Sequence, residues 1–427
     1  MKQNLFSALL KIAGKAKPLL VRILPINMLR GIKKLFVNSA MSAIRKGAEV
    51  IPFNRYANRD GVNLIGHIKG ETGLGQSCRL VADALSVSAA DFSICNYSPA
   101  GAARSTDNTW AHKISEQLPY NVNIFHINPH ELSLAYINIG KQAWDCRYNI
   151  AFWLWELETF PHEWLNALEL ADEIWTPSEF ASESIKKVTD KPVFTIPYGL
   201  CVPDTGGFGR GRFDLPEDVF LFLCMFDSNS VMERKNPLGA IKAYKKAFSE
   251  NNKNVGLVVK AGGASGKDMA LLRKELAGYQ NIFILNGTMM KTEVNGLISC
   301  VDAYISLHRA EGFGLVCVEA MLLGTPVVAT DWSANAEFMH KDVACMVEYK
   351  LAEIKKDIGP YRAGWRWAEP CADNAALHMK NLYENSDYRK KLAENAKLYI
   401  LERFAPEKMA ALINSRIADI YGSTLPS

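Results

Sequence analysis

One stretch, residues 301–330, constrains the fold of this chain most. It begins with a short apolar strand and a polar loop that ends at Glu311, and the segment Gly312-Phe313-Gly314 follows. From about Leu315 the apolar residues are spaced as in a helix, which stops at Gly324 ahead of a second apolar strand. The stretch therefore predicts a βαβ unit with a glycine-rich entry into its helix.

The start of this helix is a natural site for an anion. The first helical amides lack partners, the helix dipole favours negative charge, and glycine lets a phosphate approach closely. Glu311 precedes the start and Glu319 lies about one turn inside, so two carboxylates stand several ångströms apart with the amides between them. Carboxylates repel phosphate but accept hydrogen bonds from hydroxyl groups. A nucleotide sugar fits this arrangement; on spacing alone, an ordinary turn with two solvated glutamates remains open.

The remaining apolar runs alternate with helical segments, which predicts two parallel, doubly wound sheets. At 427 residues the chain is long enough for two domains, each with its own core. The glycine-rich segment 206–211 is predicted to be a linker and residues 359–370 a loop. The predicted strands are residues 62–65, 122–127, 148–153, 173–176, 193–196, 220–226, 255–259, 282–285, 301–306, 327–330 and 345–347. Long helices are predicted at residues 374–383, 388–403 and 406–421.

Polar residues stand near the ends of several strands in the first half of the chain, where parallel sheets bind ligands. His126 lies at the end of one predicted strand and Glu156 just after the next. A glycine-rich loop also follows the first strand, at residues 66–75. Two purely structural alternatives remain open: an ordinary turn for the glycine-rich loop and a buried core histidine for His126.

Two adjacent cations precede a helix of the second half. Arg234 and Lys235 offer a guanidinium fork and an ammonium group, which suit a diphosphate. A solvated charged loop is the alternative.

Residues 311–321, Glu-Gly-Phe-Gly-Leu-Val-Cys-Val-Glu-Ala-Met, resemble the E-x7-E signature of the retaining glycosyltransferases of family 4, the "group 1" class. Residues 324–330 continue the match, and the resemblance covers roughly residues 60–422. It implies the α/β fold called GT-B, in which two Rossmann-like domains face each other across a cleft. It further implies transfer of a hexose with retention of anomeric configuration.

The resemblance also implies roles for individual residues. Glu311 would hold sugar hydroxyls, Glu319 the ribose, and the amides of residues 312–315 the phosphates. Many relatives carry an arginine five or six residues before the lysine, where this chain has Asn229 and Ser230. The predicted catalytic residues are Glu311, His126 and Glu156, of which the last two lie on the acceptor side. The predicted donor-binding residues are Arg234, Lys235, Lys260, Arg309, Gly312, Phe313, Gly314, Leu315 and Glu319, with Lys260 and Arg309 as candidates for the missing charge. The loop facing the phosphates and the acceptor is Glu71, Thr72, Gly73, Leu74 and Gly75.

The predicted domain organisation has three parts and a returning helix. Residues 1–50 form a basic helical arm, residues 51–200 the acceptor-side domain, and residues 201–405 the nucleotide-sugar domain. By resemblance to GT-B enzymes, the last helix, residues 406–422, packs back onto the first of these domains.

Charge is distributed unevenly along the chain. Residues 1–48 contain ten Lys and Arg residues and no Asp or Glu, although the net charge is only +4. Leucine and isoleucine faces alternate with these charges, so we expect the arm to lie on an anionic membrane surface. Packing on protein is the alternative, and the scarcity of aromatic residues argues against nucleic acid.

Cysteine usage favours a reducing compartment. The nine cysteines are odd in number and form no C-x-x-C pair, which argues against disulfides and zinc. No apolar run reaches membrane-spanning length. We therefore expect a cytoplasmic protein that is peripheral on the inner face of the cytoplasmic membrane.

The predicted function is transfer of a hexose from a nucleotide sugar to a saccharide or lipid-linked saccharide in bacterial surface polysaccharide synthesis. GDP-mannose or a UDP-hexose is the expected donor, which includes the possibility of a mannosyltransferase. No cofactor is expected, and no metal, because the chain lacks the Asp-x-Asp signature of metal-dependent enzymes. Two rivals remain: a nucleotide-sugar epimerase of the same architecture and a non-catalytic, membrane-docked assembly subunit.

Overall fold

The structure is a computed structural model that describes residue 28 and residues 50–98, 105–227 and 230–422. Nearly all of the predicted arm, residues 1–50, therefore lies outside the described residues. The strands are β1 Arg59–Gly66, β2 Phe92–Asn96, β3 Tyr120–His126, β4 Tyr148–Phe152, β5 Glu173–Thr176, β6 Val193–Thr195, β7 Phe220–Asp227, β8 Val255–Gly262, β9 Ile282–Asn286, β10 Ala303–Ser306, β11 Val327–Thr330, β12 Cys345–Val347, β13 Tyr349–Glu353 and β14 Arg366–Pro370. The helices are α1 Gly73–Ser86, α2 Pro129–Ile139, α3 Glu179–Lys186, α4 Met232–Lys235, α5 Pro237–Ala247, α6 Gly266–Glu275, α7 Lys291–Cys300, α8 Leu315–Leu322, α9 Ala372–Glu384, α10 Ser386–Arg403 and α11 Pro406–Tyr421.

The first six strands form one parallel sheet, which we call the N-terminal domain. Its strand order is β2-β1-β3-β4-β5-β6. The middle strands are buried along nearly their whole length, as expected of a parallel sheet covered by helices on both faces. The strand order reverses next to β1, so the carboxyl ends of β1 and β3 border the crevice where such sheets bind ligands.

The next six strands form a second parallel sheet, which we call the C-terminal domain. Its order, β12-β11-β10-β7-β8-β9, is the Rossmann order 3-2-1-4-5-6 counted from β7. The reversal lies between β7 and β10, so the loops after these two strands border the crevice of this domain. The predicted α/β architecture of two doubly wound sheets is confirmed.

A two-stranded antiparallel hairpin stands outside both sheets. It pairs β13 with β14, from Tyr349 opposite Pro370 to Glu353 opposite Arg366. The prediction of a loop over residues 359–370 was therefore wrong for the residues of β14. The predicted linker at residues 206–211 also runs into a short 3-10 turn, Arg210–Phe213.

The last helix returns to the N-terminal domain. The hydroxyl of Tyr421 in α11 accepts a hydrogen bond from the amide of Gly61 at 3.0 Å. Arg416 donates to the buried carboxylate of Glu173 at 2.7 Å. Since α10 lies against α8, the final two helices tie the two domains together. Among the described residues, no helix combines the length and hydrophobicity needed to cross a bilayer.

Candidate active site

The site lies where the loops after β7 and β10 meet. The first loop leads into the single turn α4, which carries Arg234 and Lys235, and the second ends at Glu311. Gly314 then adopts a φ of 93°, a left-handed conformation that favours glycine, and α8 begins at the next residue. No side-chain cap bonds to the start of α8 at Gly314, which leaves the first amides of the helix without this kind of partner.

Glu311 is a buried carboxylate held by two cations. Lys235 Nζ donates to its Oε1, and Arg234 Nη1 lies 3.4 Å from its Oε2. Burial by itself raises the pKa of Glu311, but Lys235 and Arg234 more than offset this effect and lower the pKa to about 2. The backbone amide of Glu311 donates to Ser333 Oγ at 2.9 Å, which fixes the end of the loop. Glu311 is therefore ionised at neutral pH.

Arg234 links Glu311 to the N-terminal domain. Its guanidinium is buried, donates to the carbonyl of Ala310 at 2.8 Å, and lies 3.8 Å from a carboxylate oxygen of Glu156. Glu156 also accepts a hydrogen bond from the hydroxyl of Tyr361 at 3.2 Å. Among the described residues, Arg234 Nε finds no hydrogen-bond partner. The guanidinium thus keeps one donor for a further acceptor.

Glu319 is the second carboxylate of the site. It lies on the fifth residue of α8, as predicted, and is 3% exposed. Lys291 Nζ, at the start of α7, lies 2.6 Å from Oε1, whereas Oε2 is buried without a partner among the described residues. Both glutamates are therefore paired with lysine, which spacing alone did not predict.

The backbone of the loop contacts the N-terminal domain directly. The carbonyl of Gly312 accepts a hydrogen bond from Ser178 Oγ at 2.7 Å. A Cβ at Gly312 would lie only 2.9 Å from the carbonyl oxygen of Trp155, so a glycine is needed for this approach. Phe313 packs between Tyr198 and Phe404, with ring centroids 5.0 and 5.4 Å away. Its side chain is part of the core, which leaves only its backbone for a ligand.

Two predicted donor-binding cations lie outside the Glu311 cluster. Arg309 donates to Glu369 at 2.7 Å and to the carbonyl of Glu233 at 2.6 Å, and its donor-binding role stays a prediction. Lys260 lies in β8, where burial lowers its pKa, nearby Asp227 raises it and Lys291 lowers it further. Lys260 therefore lies near Lys291, the partner of Glu319. Its donor-binding role stays a prediction.

His126 lies at the crevice end of β3 but is completely buried. Its Nε2 is 3.0 Å from Ser77 Oγ, and its ring stacks on Phe152 at 4.9 Å. Burial lowers the pKa of His126 to about 3, so the imidazole is neutral at physiological pH. These contacts are those of a core histidine; among the described residues, Nδ1 has no partner, and a catalytic role stays a prediction.

The predicted glycine-rich loop forms the entry to α1. Thr72 Oγ1 accepts a hydrogen bond from the amide of Gly75 at 3.1 Å and so caps the helix. Gly75 leaves no room for a Cβ, which would collide with the carbonyl of Gly70. Glu71 accepts a hydrogen bond from Thr106 at 2.8 Å. Thr72 and Gly75 thus have structural roles, and Gly73 and Leu74 lie in the first turn of the same helix.

Part of the chain matches the model of a known protein family. The family model described as "Glycosyl transferases group 1" matches residues 225–399, which include Arg234, Lys235, Glu311 and Glu319. No curated protein sequence matches the chain.

Several solved structures align with most of this chain. The Anabaena protein HepE in complex with UDP and glucose has a TM-score of 0.62 at 14% identity and covers 84% of this chain and 100% of its own. Sucrose-phosphate synthase from Thermosynechococcus elongatus has a TM-score of 0.61 at 13% identity, with 85% and 100% covered. A glycosyltransferase from Rickettsia africae has a TM-score of 0.59 at 14% identity, with 86% and 99% covered. The fold is GT-B.

Several residues of this GT-B cleft were missed by sequence reasoning. Ser333 holds the Glu311 amide and has φ 73° and ψ −158°, a combination that costs a non-glycine residue about 1–3 kcal/mol. Asn335 donates to the carbonyl of Thr330 at 2.8 Å and accepts from His308 at 2.8 Å, which fixes the turn after β11. The available sequence signal for Ser333 and Asn335 was a group of polar residues directly after the buried strand β11. Tyr361 gave no signal, because its partner Glu156 is 205 residues away.

Proposed function

We propose that this protein is a retaining glycosyltransferase of family 4. It moves a hexose from GDP-mannose or a UDP-hexose to a saccharide or lipid-linked saccharide acceptor in bacterial surface polysaccharide synthesis. The observation that carries the proposal is the cluster of Lys235 with the buried residues Glu311 and Arg234, beside the uncapped start of α8. The UDP-glucose complex of HepE, which shares the fold, supports a nucleotide-sugar donor.

The charges of the cluster suit such a donor. Arg234 and Lys235 balance Glu156 and Glu311 in the free protein, and a diphosphate would draw the two cations away from the carboxylates. Glu311 would then be free to accept hydrogen bonds from sugar hydroxyls. Glu319, whose Oε2 lacks a partner among the described residues, would accept from the ribose hydroxyls. Each carboxylate thus gains a partner as the donor binds.

The proposed reaction exchanges one bond at the anomeric carbon for another. The bond to the diphosphate oxygen breaks, and its electron pair leaves with the nucleoside diphosphate. A bond to an acceptor hydroxyl oxygen forms, and the proton of that hydroxyl passes to the departing phosphate. Arg234, Lys235 and the first amides of α8 stabilise the charge on the leaving group, while Glu156 and His126 lie on the acceptor side.

A thermal-shift panel tests the proposal. UDP-glucose, UDP-galactose and GDP-mannose are added separately to the full-length protein. A donor at 100 times its dissociation constant stabilises the folded state by about 2.7 kcal/mol, which raises the thermal midpoint measurably. Failure of every nucleotide sugar and nucleoside diphosphate to bind would instead support a non-catalytic subunit. Incubation with the stabilising donor alone separates an epimerase, which converts the sugar, from a transferase, which only hydrolyses it slowly.

We expect the transfer to proceed without a divalent metal. In the proposed mechanism, Arg234, Lys235 and the amides of α8 would balance the diphosphate charge. Activity should therefore survive prolonged treatment with EDTA. Loss of activity that Mg²⁺ or Mn²⁺ restores would contradict the proposed phosphate site.

We expect residues 1–48 to hold the enzyme on the inner face of the cytoplasmic membrane, where a lipid-linked acceptor would be presented. Ten positive charges without a negative one are unusual for a solubilising surface, and near an anionic leaflet each contributes about 1 kcal/mol. Co-sedimentation with anionic vesicles should fall on deletion of residues 1–48 and weaken at high salt. An unchanged thermal midpoint of the truncated protein is the control for folding. Equal binding of the full-length and truncated proteins would assign the arm to protein packing instead.

A further inference from the structure

The β13–β14 hairpin reaches across the cleft to the N-terminal domain. The ring of Tyr361, in the hairpin loop, lies 5.6 Å from that of Trp155, and the ring of Trp365 lies 6.2 Å from it. Arg362 pairs with Glu163, also in the N-terminal domain. The tip of the hairpin is therefore packed on the acceptor-side wall of the cleft.

The base of the hairpin is fixed to the C-terminal domain. The amide of Ala368 donates to the carbonyl of Arg309 at 3.0 Å, and Arg309 in turn binds Glu369. The Arg309 guanidinium also lies over the ring of Trp367, 5.3 Å from its centroid. Because the hairpin is held at both ends, Tyr361 has a defined place inside the cleft and is only 3% exposed.

The hydroxyl of Tyr361 contacts Glu156, a carboxylate of the N-terminal domain that also lies beside Arg234. It donates to Glu156 Oε2 at 3.2 Å, while Arg234 Nη2 lies 3.8 Å from Oε1 of the same residue. Burial raises the pKa of Tyr361 well above 10, so the hydroxyl keeps its proton and remains a donor at neutral pH. Glu156 thus has two partners, of which the charged one is the more distant.

We propose that Tyr361 is a positioning residue that holds Glu156 when Arg234 turns to a diphosphate. This inference rests on the proposed function, because it assigns Arg234 to the donor phosphates. In the free protein, Arg234 and Lys235 balance Glu156 and Glu311. A bound diphosphate competes for both cations, which leaves the half-buried carboxylate of Glu156 without its guanidinium.

The hydroxyl of Tyr361 compensates for that loss in the bound state. A buried or half-buried carboxylate that loses a partner costs free energy unless another donor remains. The tyrosine hydroxyl is such a donor, and it comes from an element that the diphosphate does not displace. The hydrogen bond therefore stabilises the bound state more than the free state, in which Arg234 still contacts Glu156.

Calorimetric titration of the full-length protein tests the inference. The probe is UDP or GDP, whichever stabilises the wild-type protein more. Tyr361→Phe keeps the ring and should weaken binding of the diphosphate by about tenfold, since it removes a hydrogen bond to a charged group. Glu156→Gln should strengthen binding, because Arg234 is released and a negative charge near the phosphates is removed. The double variant should bind like Glu156→Gln, because no carboxylate remains to be held.

The dependence of the Tyr361→Phe effect on Glu156 distinguishes positioning from packing. If Tyr361 only packs, Tyr361→Phe should have the same small effect on diphosphate binding in the wild-type and Glu156→Gln backgrounds. Tyr349→Phe, in β13 of the same hairpin and 38% exposed, is the matched control and should bind like the wild type. Binding of uridine or guanosine, which lack phosphate, should not change in any variant.

Failure of the proposed function and failure of the role of Tyr361 give different binding results. If the wild-type protein binds neither diphosphate, the proposed function is wrong and the inference falls with it. If the wild type binds and Tyr361→Phe stays within twofold of it, or weakens binding equally in the Glu156→Gln background, the role of Tyr361 is wrong while the proposed function stands.

Discussion

Replacing Glu311 by glutamine is expected to remove most transfer activity and leave the fold intact. The amide keeps the size of the side chain but cannot pair with both cations or accept as many hydrogen bonds from sugar hydroxyls. Loss of about 2–3 kcal/mol of transition-state stabilisation corresponds to a decrease in kcat/KM of roughly 30- to 160-fold. The measurement is the rate of nucleoside diphosphate release with the donor that the thermal-shift panel identifies. Turnover within threefold of the wild type would remove Glu311 from the site.

The same substitution should change the pH dependence of stability. The folded-state pKa of Glu311, about 2, is below its ordinary value of 4.5. The stability contributed by the ionised carboxylate is therefore complete above pH 4.5 and is lost as the pH falls towards 2. Glu311→Gln lacks this contribution, so the difference from the wild type should shrink in acid. Glu183→Gln, which removes the exposed partner of Lys186, is the control and should alter neither activity nor this dependence.

The secondary structure around Glu311 was predictable because local patterns determine it. Strand β11 spans the predicted residues 327–330, and α8 begins at the predicted Leu315. Buried parallel strands are continuous apolar runs, and a glycine with positive φ marks the helix start. In the first half of the chain, the carboxyl-end rule for parallel sheets also pointed to Glu156, which lies after β4 and 3.8 Å from Arg234.

The partners inside the cleft were less predictable, because they depend on distances between elements. Lys235 was predicted to bind phosphate and Glu311 sugar hydroxyls, but in the structure the two side chains bind each other. Sequence spacing does not show that two loops 76 residues apart meet.

Strand β2 was missed because its five residues, Phe92–Asn96, include Ser93 and Asn96 and form no clear apolar run. Pairing with β1 stabilises this strand despite its weak propensity.

Replacing Arg234 by methionine is expected to lower both stability and nucleotide binding. Methionine fills much of the space of the arginine stem, but it leaves Glu156 without a guanidinium and Glu311 with Lys235 alone. Breaking a buried charge pair by removing one partner costs about 3–5 kcal/mol, and we expect the lower end because Lys235 remains. Urea denaturation followed by circular dichroism measures the change. Arg234→Lys should restore little, because an ammonium group cannot contact Ala310, Glu156 and Glu311 together as a planar fork does.

A second substitution distinguishes lost charge balance from lost packing. Arg234→Met combined with Glu156→Gln removes the carboxylate that the single variant leaves without a cation, with only the Tyr361 hydroxyl as its partner among the described residues. The double variant should therefore be more stable than Arg234→Met. Lys246→Met breaks an exposed pair with Asp373 and should cost less than about 1 kcal/mol. Equal stability of Arg234→Met and its double variant would mean that the guanidinium acts mainly by packing. The cluster would then not be a balanced set of charges that a diphosphate can rearrange.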